Sequence, residues 1–400
     1  MDDNPALRRR RDYAGPALFS YGFRPFFLGA AVWAALDILI WLPQFLGLLQ
    51  VPTHLTPLDW HVHEMLFGYV AASIAGFLLT AIPNWTGRLP VNGAPLAGLA
   101  LLWLAGRLGL LVSASIGAAV AAAIDVLFLV VLAAVAAREI VAGRNWRNLR
   151  VLFVLVLLIT GNVVFHAEVL LSGAADYGVR LSIAAVILLV SLIGGRIIPS
   201  FTNNWLARNN PGRLPVPFSR YDAATLAASV LALASWIGWP GAGATGALLM
   251  VVGAMHAARL ARWAGDRTLA DRLVLVLHVA YAFIPVGFVL LGAAAFSAAV
   301  PATAGIHAWT AGGIGLMTLA VMTRASLGHL RQPLAASPGT QAIYVLALIA
   351  ALTRIAAAFG GPPDLLLFAG AAWIAAFAGF VVAYGPALVS RLPSWTKAKA

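Results

Sequence analysis

The sequence predicts an all-α fold: a polytopic membrane helix bundle of 12 transmembrane helices with cytoplasmic N- and C-termini. Three observations carry this. Of 400 residues, 62% are hydrophobic and only 10% charged, whereas a soluble domain carries about 25% charged residues. Apolar runs recur along the whole chain, each near the roughly 20 residues a helix needs to cross a bilayer. The basic residues gather in alternate loops, the pattern of cytoplasmic loops in an inner-membrane protein.

Gly, Pro and Asn punctuation places the spans near 26–49, 63–83, 94–114, 117–140, 149–172, 179–200, 222–240, 242–264, 271–294, 303–324, 341–359 and 364–386. With the N-terminus inside, the inner loops hold Arg88, Arg138/Arg144/Arg147/Arg150, Arg208/Arg213/Arg220, Arg259/Arg262/Arg267/Arg272 and Arg331, and the C-terminal tail holds Arg391/Lys397/Lys399. The outer loops hold Arg180. A miscount of one span would reverse every later loop, so charge supports the count. The chain thus divides into a cytoplasmic tail (1–25), one transmembrane domain (26–386) and a second cytoplasmic tail (387–400). Arg8-Arg9-Arg10-Arg11 has no small-residue cleavage site after it and reads as an uncleaved tail. Because the net charge of +12 lies in these short loops, it points to membrane topology and not to nucleic acid. Without cysteine, disulfides, thiolate zinc sites and iron–sulfur clusters are excluded. Any metal must rest on His, Met, Asp, Glu or Tyr.

A faint repeat runs through the helix ends. Ile82-Pro83-Asn84-Trp85-Thr86-Gly87-Arg88-Leu89-Pro90 closes the second span, and Ile198-Pro199-Ser200-Phe201-Thr202-Asn203 closes the sixth. A weaker echo, Met322-Thr323-Arg324 to His329, closes the tenth. Three four-helix units, or chance similarity of Pro-Thr helix ends, account for it equally.

Ionisable groups at membrane depth cost about 3 kcal/mol each unless the protein uses them. At 1.5 Å per residue the histidines fall into two layers. The outer layer holds His61, His63, His166 and His307, with Glu64 and Glu168; the inner holds His256, His278 and His329. The layers lie roughly 10–20 Å apart. Imidazole is the commonest metal ligand, a b-type haem ligand and a good copper ligand. A hydrogen-bonded core histidine is the alternative for any one residue, and His54 reads as an interfacial loop residue. Intramembrane histidines on five helices favour a metal or cofactor in at least one layer. Glu64 and Glu168 are the candidates for proton transfer or for orienting a ligand imidazole. Arg24, Arg196 and Arg324 inside, with Arg180 and Arg354 outside, are candidates for neutralising haem propionates, or for snorkelling to lipid phosphate. Arg107 and Asp125, at nearly equal depth, read as a structural ion pair. Asp37 has no firm partner, with Arg354 the one candidate.

At these residues the chain resembles the NnrS family. The blocks are Gly22-Phe23-Arg24-Pro25-Phe26-Phe27, Trp60-His61-Val62-His63-Glu64-Met65-Leu66-Phe67-Gly68, Phe77 to Gly87, Gly161-Asn162 with Phe165-His166, Gly195 to Asn203, His307, and Leu319 to His329. The resemblance implies a membrane protein associated with haem, with copper and with the bacterial response to nitric oxide. It leaves open whether nitric oxide is bound, sensed or consumed by a haem-dependent oxidoreductase. No ligand set is carried over from the family; the candidates above rest on depth. Haem b is expected and copper is a weaker expectation, there being no local three-histidine motif. Nitric oxide or a related small gas, the lipid bilayer, and a quinol or redox partner protein as electron donor are the expected partners. Two competing readings remain. A haem–copper oxidase or nitric oxide reductase core fits the span number, although the adjacent His-His pair and His-Pro-Glu segment of that superfamily are absent. A 12-helix secondary transporter would need a central cavity and broken helices at matching places in two halves.

Overall fold

A computed structural model describes residues 13–362 and 364–391. The basic cluster Arg8–Arg11 and Lys397/Lys399 lie outside the described residues. Among those described there is no strand, and twelve helices are long and apolar enough to cross a membrane. They are α1 (Phe23–Phe45), α2 (Pro57–Thr86), α3 (Ala94–Leu111), α4 (Ala118–Ala142), α5 (Trp146–Ser172), α6 (Tyr177–Asn209), α7 (Arg220–Gly238), α8 (Gly243–Arg267), α9 (Arg272–Ala294), α10 (Ala302–His329), α11 (Pro338–Ala358) and α12 (Asp364–Val389).

Local chemistry explains where several begin and end. Helix α2 starts six residues before the apolar run does, because Pro57 occupies its first turn and Thr56 Oγ1 accepts the Asp59 N–H at 3.1 Å. His63 therefore lies nearly two turns inside the helix and is fully buried. Asp271 and Ser337 cap α9 and α11 in the same way. Gly87 and Gly173, at φ 69° and 81°, end α2 and α5 in the left-handed conformation that glycine tolerates best. Helix α6 runs nine residues past its apolar stretch, carrying Thr202 and Trp205 beyond Pro199.

Consecutive helices pack side by side, and α12 closes back on α1. There Trp373 Nε1 donates to the Ala34 carbonyl at 2.9 Å. Arg24 donates to the carbonyls of Leu388 and Ser390 at 2.8 and 3.0 Å, so it holds the end of α12. The start of α1 thus shares one face with the ends of α10 and α12, His329 being stacked on Phe23 there.

Burial is uneven. In α2, 83% of the most apolar window is enclosed by protein, in α10 72%, and in α6 and α9 67%. Helices α2 and α10 also share a departure from regular geometry. Glu64–Val70 and Ala308–Gly315 are π-helical, and each segment begins directly after a histidine, His63 and His307 respectively. Such wide turns are rare and concentrate at functional sites.

Candidate metal centre

Four neighbouring helices, α2 to α5, bring one buried polar cluster together. His63 and Glu64 come from the start of the π segment, Arg107 from α3, Asp125 from α4, and Asn162 with His166 from α5. All are at most 4% exposed. Close helix approach makes the cluster compact. A β-carbon on Gly178 would meet the Phe165 backbone nitrogen at 2.4 Å, so α6 presses directly on the turn of α5 that carries His166. On α2, a β-carbon on Gly68 would meet Trp33 Nε1 at 2.6 Å. That indole donates to Glu64 Oε2 at 2.6 Å and fixes the carboxylate.

Asp125 is the hub. Its Oδ2 lies 2.7 Å from Asn162 Nδ2, 3.1 Å from His63 Nε2 and 3.3 Å from His166 Nε2. Its Oδ1 pairs with Arg107. Arg107 also donates to Glu64 Oε1 at 2.7 Å, and His63 Nδ1 lies 3.1 Å from the same oxygen. Both nitrogens of His63 therefore face acceptor oxygens. A neutral imidazole has one N–H and one lone pair, so with a neutral ring one of these contacts would set lone pair against lone pair. Three species resolve this: an imidazolium donating to both carboxylates, a neutral carboxylic acid donating its O–H to the ring, or a metal cation on the Nε2 side. With Glu64 and Asp125 ionised and Arg107 charged, the cluster lacks one positive charge in a place where an uncompensated charge is costly.

The donor set also suits a cation. One ligand atom each from His63, Asp125 and His166 lie within 4.8 Å of one another. Two imidazoles and one carboxylate with open positions form a ligand set known for non-haem iron, and imidazole also suits copper and zinc. His166 Nδ1 is buried without a hydrogen-bond partner. Phe67 and Phe165 close on His63 at ring separations of 4.8 and 5.0 Å. With Arg107 and Asn162 completing the wall, this point fits a single ion and not a flat macrocycle.

The other sequence candidates lie elsewhere. Glu168 accepts the backbone N–H groups of Asp176, Tyr177 and Gly178 at 3.1, 2.9 and 2.8 Å, and so caps the start of α6. His61 turns away from His63: its Nδ1 contacts Asp37 Oδ1 at 2.6 Å and its ring stacks on Trp41 at 4.1 Å. Asp37 is thereby partnered by His61, not Arg354. His307 hydrogen-bonds the Thr303 carbonyl at 2.7 Å. In the inner layer, His256 bonds Ser229 Oγ and Tyr281 OH, both at 2.9 Å, and His278 bonds Thr202 Oγ1 at 2.8 Å. His329 stacks on Phe23 at 5.3 Å and meets the tilted Tyr21 ring at 5.4 Å. Arg196 reaches Asn148 Oδ1 at 3.1 Å, and Arg324 lies 4.2 Å over the Phe201 ring. His54, in the loop before α2, bonds Ser113 Oγ at 2.8 Å. Partial burial, then the nearby His166 and His63, lower its pKa below the usual histidine value.

Sequence reasoning undervalued Asp125, Arg107 and Asn162. The first two read as a structural pair because their depths match; nothing in the sequence shows that the pair faces His63.

Fold and cluster together define the class: a 12-helix membrane protein with a buried histidine–carboxylate candidate metal centre. The chain belongs to the NnrS family, whose sequence model, described as NnrS protein, matches residues 17–391. A comparison with curated proteins finds no match.

Proposed function

We propose that this protein serves the nitric oxide response from the bacterial inner membrane, holding a redox-active metal ion between His63, Asp125 and His166. The single observation that carries the reading is His63, whose two ring nitrogens both face carboxylates in a sealed apolar bundle. Bound there, iron or copper would supply affinity for nitric oxide and one-electron chemistry. The chain's own residues do the rest. Asn162 and Arg107 hold the Asp125 carboxylate in place, and Trp33 holds Glu64. Glu64, hydrogen-bonded to His63, is positioned to take up or release a proton beside the centre.

An apolar space able to take up a small apolar gas lies further along α2. Between α1, α2, α6 and α10 lies an apolar cavity of about 80 Å³, lined by Val70, Ile74, Val190, Ile193, Met317 and Met322 among others. Val70, which ends the π segment that Glu64 begins, lines its near end, six residues from Glu64 on the same helix. Electrons would come from a quinol or a redox protein. The cytoplasmic placement of both termini rests on the arginine-rich loops.

The reading of distant kinship with haem–copper oxidases and nitric oxide reductases gains one supporting observation. Helices α2, α6 and α10, four apart in sequence, supply all of the cavity's lining except Phe27 of α1, much as three four-helix units around a centre would arrange them.

Metal analysis of the detergent-purified protein tests the proposal. About one non-haem iron or copper per chain is expected, with an absorption or paramagnetic signal that changes on adding nitric oxide. Asp125→Asn and His166→Ala should each lose the ion. A correctly folded protein with no stoichiometric metal would sink the reading and favour the transporter.

A further inference from the structure

Tyr281 on α9 and His256 on α8 form a fully buried pair that the metal centre does not use. Hydrogen-bond counting fixes where their protons sit. Ser229 Oγ donates to the Thr225 carbonyl at 2.7 Å, so towards His256 Nε2, 2.9 Å away, it can only accept. In a neutral ring Nε2 therefore carries the hydrogen, and Nδ1 presents a lone pair. Tyr281 OH accepts from Arg259 Nη1 at 2.9 Å, and its own hydrogen is left to donate to His256 Nδ1, also at 2.9 Å. The phenol thus faces a base within proton-transfer distance. Three other buried tyrosines differ. Tyr69, Tyr344 and Tyr384 hydrogen-bond the hydroxyls of Thr318, Thr323 and Thr340. An imidazole takes up a proton near neutral pH, and a threonine hydroxyl does not.

The pair also lies in a column of aromatic rings. Trp263 meets Tyr281 edge-on at 4.7 Å, and His256 is stacked on Phe288 at 5.2 Å. Phe288 meets Trp309 at 4.8 Å, and Trp309 meets Trp236 at 5.4 Å. Every ring in the column is at most 3% exposed. Trp263 lies near the end of α8, whereas Trp236 lies near the end of α7 and Trp309 near the start of α10, on the opposite side of the bundle. Oxidisable indoles thus lead from both sides towards one phenol that has a base beside it.

We propose that Tyr281 is a redox-active tyrosine with His256 as its proton acceptor. A one-electron oxidant takes an electron from the phenol, directly or through Trp309 or Trp263, as the phenolic proton passes to His256 Nδ1. The products are a neutral tyrosyl radical, an imidazolium and the reduced oxidant. The oxidant is a lipid-soluble radical of the class of nitrogen dioxide, which nitric oxide and dioxygen form and which leaves as nitrite. Beside a threonine the same electron loss would strand a phenol radical cation in a dry bundle, a costly buried charge. At Tyr281 the proton stays within the hydrogen-bonded pair, with Ser229 Oγ accepting from the far side of the imidazolium. The identity of the oxidant rests on the nitric oxide reading; the chemistry of the tyrosine does not, and neither depends on the buried triad.

The test uses the full-length protein in detergent, flashed with ruthenium tris-bipyridine and persulfate as the one-electron oxidant. Electron paramagnetic resonance and transient absorption read the radical. The wild type should give a long-lived tyrosyl radical, recognised by a narrower signal when ring-deuterated tyrosine is supplied during expression. Tyr281→Phe should remove that signal, whereas Tyr344→Phe and Tyr384→Phe should leave it. His256→Gln should slow its formation by roughly 100-fold, the scale of a positioned proton acceptor. Difluorotyrosine in place of Tyr281 keeps the hydroxyl and should add fluorine splitting to the signal, an outcome that stands even where Tyr281→Phe fails to fold. The inference is overturned if no tyrosyl radical forms, if the signal survives Tyr281→Phe, if no fluorine splitting appears, or if His256→Gln forms the radical at the wild-type rate. None of these readouts needs a bound metal, so they separate this inference from the His63–Asp125–His166 proposal.

Discussion

The buried histidines of α2 and α5 and those of α8 and α9 lie at similar levels of burial, yet their partners differ in kind. His63 and His166 converge on the carboxylate of Asp125, and His63 meets Glu64 as well. His256 and His278 meet only hydroxyls, from Ser229, Tyr281 and Thr202. A hydroxyl can donate or accept, so it satisfies a neutral imidazole in either tautomer. An ionised carboxylate can only accept, so two of them around one ring call for an added proton, on the ring or on a carboxyl, or for a metal cation. The partner, not the depth of the histidine, separates a candidate metal centre from a packed core residue. Near His256 the carboxylate of Asp222 is met by Arg259 at 2.9 Å and by Arg262 at 3.6 Å, and it does not touch the ring.

Replacing Asp125 breaks this comparison most severely. Asp125→Ala leaves Arg107 with one carboxylate partner and removes the common acceptor of His63, His166 and Asn162. Breaking a buried charge pair costs about 3–5 kcal/mol, and a loss of that size should appear as a large drop in detergent thermal stability together with loss of the metal. Ser229→Ala, which removes one hydroxyl from His256, should cost about 1 kcal/mol and leave metal content unchanged.

Gly68→Ala is the next largest. The added methyl must push aside the Trp33 indole, and overpacking of this kind costs about 1–3 kcal/mol. Because the indole holds Glu64, the metal or nitric oxide signal should shift even where the protein stays folded. Gly98→Ala, with open space around its β-carbon position, is the control.

The smallest effect belongs to His54. Its folded pKa lies below that of the unfolded chain, about 6.5. The folded state therefore resists protonation here. Stability is unaffected above pH about 6.5 and falls as pH drops below that value towards the folded pKa. Thermal melts from pH 8 to 5 on wild type and His54→Gln check this: the substitution should flatten the acid side and leave the alkaline side unchanged.

Much of the fold was legible in the sequence because a bilayer enforces span length, and all twelve apolar runs correspond to helices. The start of α2 was not, since Pro57 and Thr56 extend the helix into polar sequence. Within the site, depth correctly grouped His63 and His166 but says nothing of azimuth, which separates His61 and His307 from them. The π turn after His63 makes azimuth still harder to read, because it breaks the regular 100° step between residues. Glu168 matched the outer layer in depth, yet its carboxylate is taken up by three backbone N–H groups of α6. Asp125 was visible only as the partner of Arg107. Its second oxygen, which makes the site, faces His63 on α2 and Asn162 and His166 on α5, a direction that depth along the helix does not give.

Anomalous diffraction at a metal absorption edge, from crystals of the wild-type protein, tests the central claim most directly. A peak about 2 Å from His63 Nε2, His166 Nε2 and an Asp125 oxygen is the predicted result. No peak at that point, with His63 still hydrogen-bonded to both carboxylates as an imidazolium, would contradict it.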